Sequence, residues 1–363
     1  MIMDLTHYRT LGRSGLIVSP LALGTMTFGA GRWGADQKTA HALFDAYISG
    51  GGNFIDTADI YSGGASEEMI GEFMADAGNR DRLVVATKSG FSRGGPTPLW
   101  SGNGAKNFRL ALETSLRQLR TEYIDMYWVH VWDRTTPCEE VLQTLVDAVR
   151  AGKILHYGFS NTPSWYVAKI ATLADAHGLP KPIGLQYAYS LIDRGVELEI
   201  LPLGEEFGLG MAPWSPLAAG LLTGKYSREK LNDAGLAPAL PDKASDGRGE
   251  GGDGRLNGDN PFGGMLFTER NFGVVDVLKE VASEIGRSPA EVALKWVVER
   301  KGVSSVLVGA SRVEQLQHNI GALDVAISAE QTRRLNDATA LPPINPYFIF
   351  QMPIDRLFGR RVN

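Results

Sequence analysis

A carboxylate, a phenol, an ammonium and an imidazole occur where short apolar runs of this sequence end. Asp56 closes NFID and Tyr61 follows it, Lys88 closes LVVATK, and His130 closes YIDMYWVH. An unperturbed Tyr has a pKa of about 10, too high for efficient proton donation at neutral pH, and a nearby ammonium lowers it. Asp56 would hold Lys88 charged and oriented, and His130 would hydrogen-bond a substrate oxygen. These residues predict proton donation to a carbonyl, with the hydride supplied by a cofactor.

Each of these residues also has a purely structural explanation. Asp56 could cap a turn, Lys88 could extend its ammonium to solvent, and His130 could be a hydrogen-bonded core histidine. Later apolar runs, however, also end in or contain residues that are small or can form side-chain hydrogen bonds: Ser160, Asn161, Gln186, Trp214, Ser215 and Gly309. Because nearly every run follows this pattern, a common cleft explains it better than a series of separate caps.

Composition argues against several other classes of protein. The net charge of −5 is spread along the chain without a basic block, which disfavours nucleic-acid binding. No apolar run approaches the roughly 18 residues that span a membrane, and the N-terminus lacks an apolar targeting region, so we expect a cytoplasmic protein. No His pair has metal-ligand spacing, so no metal is expected. Cys138 is the only cysteine and begins a predicted helix, which favours a structural role.

The chain alternates short apolar runs with amphipathic segments. The predicted strands are 21–25, 53–58, 83–88, 123–130, 154–160, 183–189, 210–215 and 304–310. The predicted helices are 37–50, 66–77, 107–120, 138–151, 164–177, 198–207, 271–285 with 289–300, and 312–321. Ser66 before Glu67 and Glu68, Pro163-Ser164 and Ser288-Pro289 are typical helix starts. Eight strand–helix repeats predict an α/β fold, a single (β/α)8 TIM barrel whose active site lies at the carboxyl ends of the strands.

Three segments fall outside the repeats of this barrel, which we expect to form one domain over residues 1–363. Residues 8–20 predict a hairpin that turns at Arg13-Ser14-Gly15 and closes the N-terminal end. Residues 229–268 are rich in Gly and Asp and are expected to form a long loop. The aromatic tail, residues 341–363, is expected to pack over the barrel mouth.

Two short motifs suggest other dehydrogenase folds. GAGRWG at 29–34 matches the dinucleotide fingerprint of an open sheet, with Asp56 about twenty residues further on. Its glycines start several residues after the strand, and the chain has more repeats than such a domain needs, so a loop at the barrel mouth is favoured. YSREK at 226–230 has the Tyr and Lys spacing of short-chain dehydrogenases, but it opens a Gly-rich loop instead of lying on a long helix.

Several longer motifs resemble the aldo-keto reductase family over nearly the whole chain. They are NFIDTADIYSGGASEEMIG, VVATKSG, YIDMYWVH, GKILHYGFSN, APWSPLAAGLLTGKY and GASRVEQLQHN. Within that family the chain resembles the branch that includes aryl-alcohol dehydrogenases, bacterial general-stress reductases and potassium-channel β subunits. The resemblance implies reversible NADPH-dependent reduction of aldehydes or ketones, with Asp56, Tyr61, Lys88 and His130 as catalytic residues and Tyr61 as the general acid.

The resemblance also implies an extended NADPH site. The implied contacts are Thr25 and Met26 near the nicotinamide; Asp56, Ser160, Asn161 and Gln186 at its amide and ribose; Trp214 stacked on the nicotinamide; Ser215, Leu217, Gly220 and Lys225 at the pyrophosphate; and Gly309, Ser311, Arg312, Gln315 and Asn319 at the adenosine end. GASR at the start of the last predicted helix offers backbone N–H groups and a guanidinium to a phosphate, which favours NADPH over NADH. Arg248 or Arg255 would be a second basic ligand.

The substrate is expected to be a bulky apolar carbonyl compound, aromatic or polycyclic, such as a xenobiotic or secondary metabolite. The predicted pocket residues are Phe28, Trp33, Ile60, Phe91, Trp100, Trp132, Phe348 and Phe350. The alternative function is a cofactor-sensing regulatory subunit like the channel β subunits. Those carry Asn at the position of His130, so the histidine favours an enzyme. The sequence leaves the substrate's identity and the oligomeric state open.

Overall fold

The computed structural model describes residues 3–31, 34–229, 256, 263–350 and 352–361. The strands within them are β1 (Arg9–Thr10), β2 (Ile17–Val18), β3 (Leu21–Gly24), β4 (Phe54–Asp56), β5 (Val84–Ser89), β6 (Ile124–Val129), β7 (Ile154–Ser160), β8 (Gly184–Gln186), β9 (Gly210–Met211) and β10 (Val306–Val308). The last eight form one sheet in the order β10-β3-β4-β5-β6-β7-β8-β9, with every neighbouring pair parallel. The Leu307 N–H donates to the Pro213 carbonyl at 2.9 Å, which joins the two ends of the sheet. The predicted TIM barrel is therefore confirmed.

Helices follow the strands and cover the outside of the sheet. They are α1 (Gln37–Ser49), α2 (Ala65–Ala77), α3 (Ala105–Gln118), α4 (Cys138–Arg150), α5 (Ser164–Ala176), α6 (Ile200–Phe207), α7 (Gly263–Leu266), α8 (Glu269–Ile285), α9 (Pro289–Val298), α10 (Val313–Gly321), α11 (Ala329–Ala338), α12 (Tyr347–Phe350) and α13 (Ile354–Phe358). The predicted helices all occur within a few residues of their expected bounds. Four helices have no counterpart among the predicted ones: α7, which lies inside the predicted loop 229–268, and α11, α12 and α13.

The helix starts follow capping chemistry with one correction. Ser288 and Glu291 form the reciprocal capping box of α9, as Ser288-Pro289 predicts. The prediction that Ser66 caps α2 is wrong. The helix begins at Ala65 after Gly64, and the buried Ser66 hydroxyl donates instead to the Thr25 carbonyl at 2.9 Å. Helix α2 is therefore fastened to the loop after β3.

The hairpin of β1 and β2 closes the N-terminal end of the barrel, as predicted. Its strands pair antiparallel through Arg9 with Val18 and Thr10 with Ile17. Leu11, Leu16 and Val18 belong to the same buried cluster as the inward-facing residues of the strands. A second apolar cluster fills the space between the sheet and the helices. With the bottom closed, the polar strand ends gather at the opposite face.

Two other expectations differ from the structure. The predicted strand 210–215 is limited to Gly210–Met211, although Trp214 still forms a bridge with Ala188. The tail is held at Tyr347, whose hydroxyl donates to Glu199 at 2.6 Å beside the starts of α5 and α6. Its apolar side chains are exposed, and Phe350 is 69% accessible. Nearly all of the predicted loop 229–268 lies outside the described residues.

Candidate active site

Parallel pairing places the carboxylate of β4 and the ammonium of β5 at the same edge of the sheet. Asp56 pairs with Ala86, and Lys88 follows two residues later on the same face of β5. The Lys88 ammonium is fully buried. It donates to an Asp56 oxygen, to the Thr57 carbonyl at 2.6 Å and to the Tyr61 hydroxyl at 3.3 Å. The sequence-predicted trio of Asp56, Lys88 and Tyr61 is thus assembled at one point.

Two further side chains complete this group, which we call the inner cluster: Asp56, Tyr61, Lys88, Trp128 and Gln186. The Trp128 indole N–H and the Gln186 amide donate to the second Asp56 oxygen, at 3.0 and 2.8 Å. Burial alone would lower the pKa of Lys88, but the Asp56 carboxylate and then the Tyr61 hydroxyl outweigh burial, so that pKa is raised. The ammonium is held charged directly beside the Tyr61 hydroxyl.

The sequence analysis did not identify Trp128 as part of this group. A tryptophan in a strand is typical of an ordinary core residue. Its indole N–H lies close to Asp56 only because β6 pairs with β5. Gln186, a predicted cofactor ligand, donates to Asp56 through its amide nitrogen and also lines the cavity described below.

His130 lies across the cleft from Tyr61. The two rings are 6.0 Å apart in an edge-to-face arrangement, and Phe91 contacts the His130 ring at 4.7 Å. Burial, and secondly the Lys88 charge, hold the pKa of His130 well below its usual value. The imidazole is therefore neutral at physiological pH, and its Nδ1 has no hydrogen-bond partner among the described residues. A neutral imidazole can donate one hydrogen bond to a substrate oxygen.

A cavity of about 1230 Å³ connects these residues with the start of α10. This volume exceeds the roughly 300–1,000 Å³ of an ordinary small-molecule pocket, so it accommodates an extended ligand as well as a second, smaller one. Apart from Arg248 and Arg255, which lie outside the described residues, its lining includes every residue that the sequence predicts to contact the cofactor: Thr25, Met26, Asp56, Ser160, Asn161, Gln186, Trp214, Ser215, Leu217, Gly220, Lys225, Gly309, Ser311, Arg312, Gln315 and Asn319.

The far end of the cavity has the features of an anion site. Helix α10 starts after Arg312 without a side-chain cap, so its first backbone N–H groups are available to a ligand. On the opposite wall, Ser215, Ala219 and Gly220 adopt left-handed backbone conformations with φ of 54°, 52° and 95°. Such conformations are costly for non-glycine residues and concentrate where a ligand is held. These residues fit an extended, phosphate-bearing cofactor.

Some cavity residues escaped the sequence analysis. His318 and Glu314 lie on the same helix as Gln315, and the His318 ring nitrogen is 2.6 Å from the Ser288 hydroxyl. The GASRVEQLQHN motif could have indicated them, because residues three and four apart on a helix are neighbours, which places positions 314, 315 and 318 close together.

The predicted substrate pocket is only partly assembled. Ile60 and Phe91 line the cavity. Phe28 is a core residue packed edge-on against Phe73. Trp100 lies over Arg93, and Trp132 packs against Trp165 and Tyr166, so neither lines the cavity.

The remaining predicted ligands lie elsewhere or cannot be placed. Phe348 and Phe350 are on the tail and do not reach the cavity, because Tyr347 anchors that segment beside α5 and α6. Trp33, Arg248 and Arg255 lie outside the described residues. Cys138 is the buried first residue of α4, which is consistent with its predicted structural role.

The described part of the chain contains no cluster of three or more His, Cys, Asp or Glu side chains suited to a metal ion. None of its helices has the length and apolar character to cross a bilayer.

Comparison with known proteins adds a second line of evidence. Residues 20–340 match the sequence model of the Aldo/keto reductase family. An aryl-alcohol dehydrogenase [NADP(+)] of Phanerodontia chrysosporium is 35% identical over 358 residues, which cover 95% of this chain and 88% of the relative. A norsolorinic acid reductase of Aspergillus flavus is 35% identical, covering 96% and 85%. A probable voltage-gated potassium channel subunit beta of Oryza sativa subsp. japonica is 36% identical, covering 88% and 92%.

Proposed function

This chain belongs to the aldo/keto reductase family, and from that premise we propose that it reduces aldehydes or ketones to alcohols with NADPH, Tyr61 being the general acid. The observation that carries the proposal is the Lys88 ammonium 3.3 Å from the Tyr61 hydroxyl, with its charge maintained by Asp56. The same site would catalyse the reverse reaction, the oxidation of an alcohol with NADP+.

We assign proton donation to Tyr61, on one side of the cleft. Tyr61 would donate it to the carbonyl oxygen as that oxygen gains negative charge, and Lys88 would stabilise the phenolate that remains. His130, held neutral by burial, would donate a hydrogen bond to the same oxygen. Asp56 does not reach the substrate in this scheme; it keeps Lys88 in place.

The cofactor would lie along the cavity from Trp214 to Arg312. When bound, NADPH supplies the hydride. Trp214 is oriented by a hydrogen bond from its indole N–H to Asn161 at 3.3 Å. The Arg312 guanidinium and the start of α10 suit the 2′-phosphate, which supports NADPH over NADH.

A bulky aromatic carbonyl compound is the substrate class that the opening favours. Ile60 and Phe91 provide its apolar walls next to Tyr61 and His130. The names of the aryl-alcohol dehydrogenase and norsolorinic acid reductase relatives agree with aromatic substrates. We also propose that the protein acts in the cytoplasm.

The test is Tyr61→Phe, with Tyr123→Phe as the matched control, since Tyr123 precedes β6 at the opposite end of the barrel. We expect Tyr61→Phe to bind NADPH like the wild type, measured by quenching of tryptophan fluorescence. We expect turnover of benzaldehyde to fall by about 10²–10⁴-fold, the usual contribution of a general acid. Turnover that survives in Tyr61→Phe would remove Tyr61 from the proposal.

A cofactor-sensing subunit is the second candidate, favoured by the identity to the potassium channel subunit beta. In that case the wild-type protein would bind NADPH tightly, and a panel of aldehydes and ketones would produce no NADPH oxidation above the rate of Tyr61→Phe.

A further inference from the structure

A second group of charged side chains is buried behind the active site, between the sheet and α2 and α3. This outer cluster consists of Asp59, Glu67, Thr87, Arg93 and Tyr127. Asp59 and Glu67 are almost fully buried, yet both oxygens of Asp59 and one oxygen of Glu67 have no hydrogen-bond donor among the described residues. The cluster holds two acids and one guanidinium, so its charges do not balance within it. Such an arrangement is poor evidence for a stabilising role and calls for another explanation.

Arg93 is the member of the cluster that belongs to the loop after β5. Its Nη2 donates to Asn107 of α3 at 2.9 Å, and its Nε lies 3.6 Å from an Asp59 oxygen. Its guanidinium also lies over the ring of Trp100 at 5.4 Å, and its backbone N–H donates to the Trp100 carbonyl. Most residues at 91–100 are exposed. Arg93 therefore ties an otherwise exposed loop to the body of the barrel.

Asp59 is the other half of the ion pair, and it lies on the turn that carries Tyr61. Its backbone N–H donates to the Lys88 carbonyl at 3.1 Å, and Tyr61 follows two residues later. The loop held by Arg93 carries Phe91, which lines the cavity and contacts the His130 ring. A single buried ion pair thus connects the turn of the proton donor with the loop that walls the substrate site.

We propose that Arg93 and Asp59 are positioning residues for the substrate: their buried ion pair holds the Phe91 loop against the Tyr61 turn and thereby fixes the width of the substrate opening. The inference rests on the proposed carbonyl reductase function. Neither residue touches the substrate in this scheme, since both act through Phe91.

The charge on Asp59 changes with pH. The groups that face it are Glu67 from α2, Lys88 from β5, Arg93 from the loop and Tyr127 from β6. Burial, and secondly the Glu67 carboxylate, raise the pKa of Asp59 to about 8, while Arg93 and Lys88 oppose that rise. As the pH rises through about 8, Asp59 gains its charge and the attraction to Arg93 increases. The loop is then held more firmly.

The experiment compares Arg93→Met with Arg80→Met in the full-length protein. Arg80 is a close match: it pairs with the buried Asp125 at 2.7 Å and lies over the ring of Tyr123 at 4.0 Å, but it precedes β5 at the other end of the barrel. At pH 9, where Asp59 is charged, we expect Arg93→Met to raise KM for benzaldehyde by about 10-fold with kcat within about 3-fold, because binding of the ground state and of the transition state is lost equally. NADPH affinity should be unchanged, and Arg93→Lys should recover part of the loss.

Arg80→Met should lower the melting temperature without changing KM. An equal change of KM in both variants, or none in Arg93→Met, would overturn the inference while leaving the reductase proposal intact. If the wild-type protein reduces no carbonyl compound, the proposed function fails and the inference fails with it. Should Arg93→Met not fold, the pH profile decides: KM of the wild type must fall as pH rises through about 8, and Asp59→Asn must lose that fall. A flat wild-type profile rejects the role of the pair.

Discussion

The inner and outer clusters lie on opposite sides of β5 and differ in how their charges are compensated. Inside the barrel, both oxygens of Asp56 accept hydrogen bonds, from Lys88 on one side and from Trp128 and Gln186 on the other. Outside, Asp59 lies 3.6 Å from Arg93 and near the Ile60 N–H, and Glu67 accepts from the Thr87 hydroxyl and lies near the Ser115 hydroxyl.

The difference shows what each arrangement is suited to. A full set of donors stabilises the charged form of a buried carboxylate. Burial raises the pKa of Asp56, and the Lys88 charge together with the hydrogen bonds from Lys88, Gln186 and Trp128 opposes that rise. A buried acid pair with too few donors changes its charge near neutrality instead. Burial raises the pKa of Glu67 to about 7, and that of Asp59 is about 8. The acid of the inner cluster is therefore compensated by a cation and by hydrogen-bond donors, whereas the acids of the outer cluster change their charge near neutrality.

The largest expected effect comes from removing the inner ammonium. Lys88→Met should lower kcat by about 10²–10⁴-fold because Tyr61 loses the charge that stabilises its phenolate. It should also cost about 3–5 kcal/mol of unfolding free energy, since Asp56 is left buried without a counter-ion. Steady-state NADPH oxidation and urea unfolding measure the two effects.

Lys295→Met is the matched control for Lys88→Met. The Lys295 ammonium is also buried, where it donates to the Leu323 carbonyl at 3.0 Å and lies 3.3 Å from Glu299. We expect this variant to lose stability and to keep kcat. Equal loss of kcat in both variants would mean that the inner charge acts through folding alone.

A pH series of stability separates the two clusters next. Between about pH 4, the unfolded pKa of an aspartate, and about pH 8, the folded protein holds the Asp59 proton and the unfolded chain does not. Folding then binds a proton, so the contribution of this group to stability falls as pH rises through that window. Asp59→Asn cannot ionise. Its unfolding free energy relative to the wild type should therefore rise from pH 4 to 8, by about 1.4 kcal/mol per unit of pKa difference, and level off above pH 8.

The slope with pH is the diagnostic, because Asp59 is protonated over most of this range, so Arg93 lacks a charged partner there in the wild type as well as in the variant. Glu67→Gln should show the same sign with a plateau near pH 7. A difference that shrinks as pH rises would contradict a titrating outer cluster. Denaturant unfolding at fixed ionic strength measures it.

The two clusters also differ in how far the sequence could predict them. Asp56 and Lys88 end neighbouring strands, and parallel strands end at one edge, so their meeting follows from the repeat pattern. No repeat pattern of this kind predicts that Asp59 and Glu67 meet in the outer cluster. Asp59 resembles a turn acid, and Glu67 resembles an acid in the first turn of a helix. That Glu67 faces the sheet depends on α2 starting at Ala65, and the expected Ser66 cap misplaced that start by two residues.

The tail and the aromatic residues show a different limit. Local sequence makes them apolar and places them after strand ends, but it does not determine which neighbour covers them. Trp100 lies over Arg93, and Tyr347 reaches Glu199, through contacts between segments that are distant or irregular in sequence. Only Ile60 and Phe91, which lie close to Tyr61 and Lys88 in the chain, reach the cavity among the predicted pocket residues that the structure describes.

The smallest effect comes from two adjacent residues of β6 that point to opposite sides of the barrel wall. The Trp128 indole N–H donates to Asp56 in the inner cluster, whereas the Tyr127 hydroxyl, in the outer cluster, lies near Ser89 without a hydrogen bond of good geometry among the described residues. Trp128→Phe should cost about 1.5–3 kcal/mol from the lost bond to a charged acceptor, with a further loss from the smaller ring. Tyr127→Phe removes a hydroxyl that was buried without compensation, so its unfolding free energy should be unchanged or slightly higher. Urea unfolding at one pH measures the loss of unfolding free energy in each variant. Comparable losses in both would show that the two sides of β6 do not differ in hydrogen bonding, and that the Tyr127 hydroxyl makes a stabilising hydrogen bond of its own.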